Sequence, residues 1–276
     1  MNISGSLVKK IPAPLPGIID FSLYSNLFVA GVTTSASFYY QKQTGFVSIE
    51  YLIFLFFSTL FIYNLEHRKI KKRDFINKPL RCLWLEENKR KVDLLTFASL
   101  LICIACLIFN FDRLRLFGSA LMLLLSLIYC TDSLLRKIAI SKNLLLAVIW
   151  SGATVIMPHF WLSTTISSYT AFSLFLLISL SNSLLCDRED KKGDYEDGMV
   201  SLINKLSCKS STLLLTVLNL LIMILSIKSE YKGLCITALC YGYFTLLPIK
   251  QQRAPYIYDI CLILPLIATV TLQALL

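Results

Sequence analysis

Three aspartates close to residue 190 are the side chains in this sequence best suited to chemistry. In the run Cys186-Asp187-Arg188-Glu189-Asp190-Lys191-Lys192-Gly193-Asp194, acids stand at 187, 190 and 194, a spacing of i, i+3 and i+7. On a helix these positions share a face, so the three carboxylates project together. Like charges so arranged repel one another and call for a cation. Hard oxygen ligands suit Mg2+, which uses one or two carboxylates together with phosphate oxygens and water. The plainer reading is a solvated helix end in which Arg188, Lys191 and Lys192 neutralise the acids.

A second polar segment runs from Tyr63 to Arg81 and carries Glu66 and Asp74. Lys142, Arg81 and the run Lys71-Lys72-Arg73 can reach a diphosphate from the same side, because Lys and Arg are the usual partners of phosphate oxygens. Each is equally suited to anchoring a helix end at a membrane surface. Other metal chemistry has little support. Cys103 and Cys106 form a CxxC inside an apolar run, with no second pair at zinc spacing. Free cysteine packs as a small hydrophobe, and His67 and His159 are too few for a histidine-based metal site.

The elements that must position these groups are long apolar helices. The 276 residues are 56% hydrophobic and 16% charged, where a soluble domain averages about 25% charged. A bilayer-spanning helix needs about 20 mainly apolar residues. Nine segments approach that length: 21–40, 46–63, 94–111, 116–131, 143–163, 167–186, 211–227, 233–249 and 258–276. Backbone polar groups inside hydrocarbon must be satisfied within the segment, so these runs are expected to be helices. The reading is a cytoplasmic tail over 1–20 and one transmembrane domain over 21–276. The tail, punctuated by Pro12, Pro14 and Pro16, lacks the short apolar run of a cleavable signal.

The net charge of +10 is topological rather than a mark of nucleic-acid binding. With nine spans, the tail and the even loops hold 22 of the 27 Lys and Arg. That asymmetry places the tail and both acid-bearing loops on the cytoplasmic side of a plasma or inner membrane, with contact to membrane lipid as a secondary effect. No obligate protein partner is evident. The acid-bearing loops follow the second and sixth spans, and Asp74 and Asp194 lie 120 residues apart, which suggests two four-helix halves and an appended ninth span.

On these residues the chain resembles the UbiA superfamily of intramembrane prenyltransferases. Asp187-x-x-Asp190-x-x-Gly193-Asp194, followed by Gly198 and Ser201, looks like the family's second Asp-rich motif. Tyr129-Cys130 and Ser141-Lys142-Asn143 resemble its middle region. Asn26 and Asp259 fall where members often carry polar residues, which marks them as candidate substrate-binding groups. The resemblance implies an all-α fold of nine spans around a central cavity, capped by Asp-rich loops that hold Mg2+ against the diphosphate of an isoprenyl donor. It makes Asp190 and Asp194 the core, catalytic ligands, supported by Asp187, and it places Asp74 and Glu66 in the first motif. Lys142, Arg81 and Lys72 are the expected diphosphate-binding groups. The implied reaction is transfer of the prenyl group to a hydrophobic, often aromatic, acceptor.

The first motif departs from the family pattern. Intervals of four fall on Glu66, Ile70 and Asp74, and Ile70 cannot bind a metal. One ion, with Arg68, Lys71 or Lys72 replacing the missing charge, is one consequence; lost or altered activity, as a terpenoid cyclase or a lipid-binding relative, is the other. A transporter fits less well, because transporters place binding groups near the midplane, and these acids gather at one membrane face.

Overall fold

Over their described residues the nine apolar segments are mostly helical in the computed structural model, which describes residues 17–68, 70–130, 141–162, 164, 169–196, 198, 201–247 and 256–275, with backbone alone at 204 and 272–275. The chain begins with α1 (Gly17–Tyr24), α2 (Leu27–Thr44), α3 (Ile49–His67) and two short helices, α4 (Lys72–Asn77) and α5 (Pro79–Glu87). Next come α6 (Lys89–Phe109), α7 (Arg113–Cys130), and α8 (Ser141–Ser151), which runs through a π-helical turn (Gly152–Ile156) into α9 (Met157–Leu162). The last elements are α10 (Tyr169–Glu196), α11 (Leu202–Lys205), α12 (Cys208–Lys228), α13 (Leu234–Leu246) and α14 (Ile257–Leu275). No strand occurs among the described residues.

Among the described residues six helical stretches are long and apolar enough to cross a membrane: α3, α6, α7, the continuous Ser141–Leu162, α10 and α12. Length and composition thus support six of the nine expected crossings. Of the other three segments, α13 has 13 residues and α14, with 19, carries Asp259 in its first turn and Pro265 inside it. The third, α2, carries Thr33, Thr34, Ser35, Ser37 and Gln41 along its 18 residues.

Burial separates a central pair of helices from peripheral ones. The apolar windows of Ser141–Leu162 and α10 are 61% and 56% buried, against 17% for α6 and 11% for α7. Accordingly α6 presents Phe97, Ile104 and Ile108 outward, and α7 presents Phe117 and Leu124. These are faces for lipid. The main core joins Val32, Ala36 and Tyr40 of α2 to Leu174, Ile178 and Leu185 of α10, Leu215 and Ile222 of α12, and Tyr241 of α13.

Lipid tails are as apolar as Leu, so helices in a bilayer are also held by close packing and interhelical hydrogen bonds. One such network ties α10 to α12 and α13. Ser181 Oγ donates to Asn219 Oδ1 at 2.7 Å, Asn219 Nδ2 donates to Thr245 Oγ1 at 3.3 Å, and Arg188 Nη1 donates to the Thr245 carbonyl at 2.7 Å.

The π-helical turn has a specific cause. Pro158 has no N–H, so the carbonyls four and five residues before it, Thr154 and Ala153, lose their helical donor. Side chains from other helices replace it. Ser37 Oγ of α2 donates to the Thr154 carbonyl at 3.2 Å, and the Tyr51 hydroxyl of α3 donates to the Ala153 carbonyl. A sharp change within a membrane helix thus becomes a point of attachment between three helices.

A cavity of about 1470 Å3, lined by Gln43, Thr44, His159, Thr170, Lys228 and Lys232 among others, opens at the end of the bundle where α10 begins. The acids lie in the last turns of that helix, roughly 30 Å away at 1.5 Å per residue. The cavity is not the one expected beneath the acid-bearing loops.

Candidate functional site

The 28 residues of α10 exceed the roughly 20 needed to cross a bilayer, so its charged last turns continue past the apolar stretch. Asp187 and Asp194 are each 4% exposed, while Lys191 and Lys192 are exposed. With Arg188 drawn away to α13, the acids are not neutralised by their neighbours in sequence. Lysines from other elements do it instead.

At the start of α8, Lys142 Nζ lies 2.8 Å from Asp187 Oδ1. Asn143 Nδ2 donates to Asp187 Oδ2 at 3.0 Å and to Ser183 Oγ at 2.7 Å. Lys78, between α4 and α5, pairs with Asp190 Oδ2 at 3.2 Å. The Asp190 carboxylate holds the Lys78 ammonium above its ordinary range, against the opposing effect of burial. Asp194 differs from both: its Oδ2 is buried and has no hydrogen-bond partner. Lys142, Asp187, Asp190 and Arg73 all act on it electrostatically.

The two polar segments meet. Helix α4 packs on α10, and Asn77 Nδ2 donates to the Asp190 carbonyl at 3.0 Å. The segments carrying Asp74 and Asp194 therefore lie at the same end of the bundle. Asp74 itself is occupied with its own helix. Its Oδ2 accepts from the Lys71 N–H at 2.8 Å, which caps α4, and its Oδ1 lies 3.6 Å from Arg73 Nε. Ile70 offers no ligand, and Lys72, in the first turn of α4, is exposed.

The other sequence candidates form two further groups. Arg81 Nη2 donates to Asn26 Oδ1 at 2.7 Å, and Asn26 Nδ2 donates to the buried Asn64 Oδ1 at 2.7 Å. Glu66 and Asp74 act on the Arg81 guanidinium through their charge. Asn26 has φ 64° and separates α1 from α2, a left-handed conformation that Asn tolerates better than most residues. Asp259 Oδ1, on α14, accepts from Asn182 Nδ2 of α10 at 3.0 Å.

A magnesium ion fits this donor set in one place. Seven residues of helix cover about 10 Å, so no single ion touches both Asp187 and Asp194. Among the described residues no three His, Cys, Asp or Glu are gathered as a ready-made metal site. The free, buried Asp194 oxygen and the Asp190 carboxylate one turn before it match the one or two carboxylates that Mg2+ takes beside phosphate oxygens and water. A second ion at the first motif does not fit, since Ile70 is apolar and Asp74 serves its own helix. All nine cysteines are free thiols, and Cys103 Sγ faces the Phe54 carbonyl.

Comparison with known protein families, with characterised proteins and with solved structures gives no match. Sequence reasoning gave no role to the neutral side chains Asn64, Asn77, Asn143 and Asn182, or to Lys78. The available signal for three of them was an amide at the edge of, or inside, an apolar run, where polar groups bond across helices.

Proposed function

We propose that the chain crosses the membrane nine times and uses the acid row of α10 to hold Mg2+ against the diphosphate of an isoprenyl donor, whose prenyl group passes to a hydrophobic acceptor. One observation carries the reading most directly. Asp194 keeps a buried carboxylate oxygen without a hydrogen-bond donor, one turn from Asp190 and in the field of Lys142 and Arg73. An orphaned buried acceptor costs roughly 1–3 kcal/mol, and a bound cation removes that cost. The charge asymmetry of the loops supports a cytoplasmic position for this end.

When bound, Mg2+ neutralises charge that accumulates on the departing diphosphate. The remaining work falls to the chain. Asp190 and Asp194 hold the ion, with Asp187 keeping Lys142 beside them. Lys142 and Lys78 are at hand for phosphoryl oxygens, and Arg81, fixed by Asn26, adds a guanidinium from the first segment. Lys72 faces outward and is not part of this set.

A second reading has its own support. Ile70 interrupts the first motif, Asp74 caps α4, and two of the three acids on α10 are already bonded to lysines. These features suit a relative that has given up transfer and binds a lipid-like ligand.

Membranes containing the protein, given radiolabelled prenyl diphosphates and aromatic acceptors with and without Mg2+, separate the two. Transfer that requires Mg2+ and falls at least about a hundredfold in Asp194→Asn supports catalysis, that factor being under 3 kcal/mol of barrier. Transfer at full rate in Asp194→Asn removes the acid row from the mechanism.

A further inference from the structure

The acid row rests on a side chain that carries no charge. Asn77, the last residue of α4, donates from Nδ2 to the Asp190 carbonyl at 3.0 Å and accepts on Oδ1 from the Gly193 N–H at 2.9 Å. One amide thus grips the α10 backbone at two points, within the turn that links Asp190 to Asp194. In a regular helix the Gly193 N–H would be directed at the carbonyl of residue 189. Here it also serves another element.

Gly193 is required by proximity rather than by backbone conformation. A Cβ built there would lie 2.4 Å from Asn77 Oδ1, 2.6 Å from Asn77 Cγ and 2.7 Å from the Arg73 carbonyl oxygen. No side chain fits against α4 at that distance. Helix α4 has six residues, far below the length at which a helix holds itself together in isolation, so its position depends on such contacts. The residue after Asn77 is Lys78, the partner of Asp190. Whatever fixes Asn77 also fixes that ion pair.

We propose that Asn77 is the positioning residue of the acid row, with Gly193 as its socket: together they lock the turn bearing Asp190 and Asp194 against α4 and so set the carboxylates for their cation. The inference rests on the metal-binding reading for what the row holds, and on the Asn77–Gly193 geometry alone for the lock itself.

The test uses the full-length protein in lipid nanodiscs, with Mn2+ as the probe ion, and records Mn2+ affinity, thermal unfolding and amide exchange over residues 189–196. Asn77→Ala and Gly193→Ala are each expected to weaken Mn2+ binding about tenfold or more, the usual cost of losing a group that orients metal ligands, and to speed exchange of the residue-193 amide. The double variant is expected to be no worse than the poorer single one, because removing the Asn77 side chain clears two of the three close contacts. Asn77→Asp retains the acceptor for the Gly193 N–H and is expected to keep the slow exchange there. Lower thermal stability with unchanged Mn2+ affinity in both single variants overturns the positioning role, as do fully additive effects. If the unmodified protein binds no Mn2+, the metal reading fails, and exchange at residue 193 still decides the lock: no acceleration in Asn77→Ala overturns it.

Discussion

Lys142 Nζ and Asp187 Oδ1 lie 2.8 Å apart, joining the first turn of α8 to the last part of the apolar run of α10, with side-chain exposures of 16% and 6%. Asn143, the next residue, bonds the other carboxylate oxygen. Two consecutive residues of one helix therefore satisfy both oxygens of a single acid. The pair is buried enough that its two halves depend on each other.

Removing only one partner strands a buried charge, which typically costs about 3–5 kcal/mol, whereas removing both together is often close to neutral. Lys142→Met is thus expected to lower thermal stability markedly, and Lys142→Met with Asp187→Asn to recover most of the loss. Unfolding in detergent, followed by far-ultraviolet circular dichroism, measures both. A double variant as unstable as the sum of the two singles would show that the groups do not sustain each other.

The Lys78–Asp190 pair is a weaker contact. Its side chains are 29% and 25% exposed, and partly hydrated pairs contribute about 1 kcal/mol or less. Asp190 holds the Lys78 ammonium above its ordinary range. A cation whose folded-state value is raised contributes fully below its unfolded value, near 10.4, and loses that contribution only as pH climbs through the raised value. The stability gap between the unmodified protein and Lys78→Met should accordingly stay constant from pH 7 to pH 9. A gap that closes across that interval contradicts the assignment.

Pro158 and Tyr51 make a prediction about the fold rather than the site. The Tyr51 hydroxyl serves the Ala153 carbonyl that Pro158 leaves without a helical donor. Tyr51→Phe is expected to cost about 1–3 kcal/mol by leaving a buried carbonyl unpaired. Pro158→Ala restores a backbone N–H, so the same Tyr51→Phe change should cost less in that background. Equal costs in both backgrounds, read from thermal unfolding, would separate the tyrosine from the π-helical turn.

The sequence made some of this legible and hid the rest for physical reasons. Apolar run length located the helices, because in lipid a segment must satisfy its own backbone. Length and apolarity alone mark six of these helices as able to cross, whereas α2 carries Thr33, Thr34 and Gln41 and α13 has 13 residues. Helical spacing put Asp187, Asp190 and Asp194 on one side of α10, but spacing carries no information about partners. Lys142 and Lys78 come from elsewhere in the chain, and Arg188, adjacent in sequence, turns away to the Thr245 carbonyl. The hold of Asn77 on Gly193 is visible only in three dimensions, because nothing in a neutral amide 116 residues away marks it.

Asp74 offers the sharpest contrast with Asp194. By the spacing of the first motif it stands where a metal ligand is expected, yet its Oδ2 accepts from the Lys71 N–H and closes the first turn of α4. Asn at this position keeps a side-chain oxygen able to accept the same bond, and loss of helix capping in general costs about 0.5–2 kcal/mol. Asp74→Asn is therefore expected to leave the Mg2+ concentration giving half-maximal effect within about twofold of the unmodified protein, which is under 0.5 kcal/mol. Asp194→Asn should move it by far more, because the only buried carboxylate oxygen without a donor on α10 becomes part of a neutral amide. A Mg2+ titration of prenyl transfer, or of pyrophosphate binding where transfer is absent, compares the two directly. If Asp74→Asn shifts the titration as strongly as Asp194→Asn, the first segment supplies a metal ligand after all, and the single-ion arrangement is wrong.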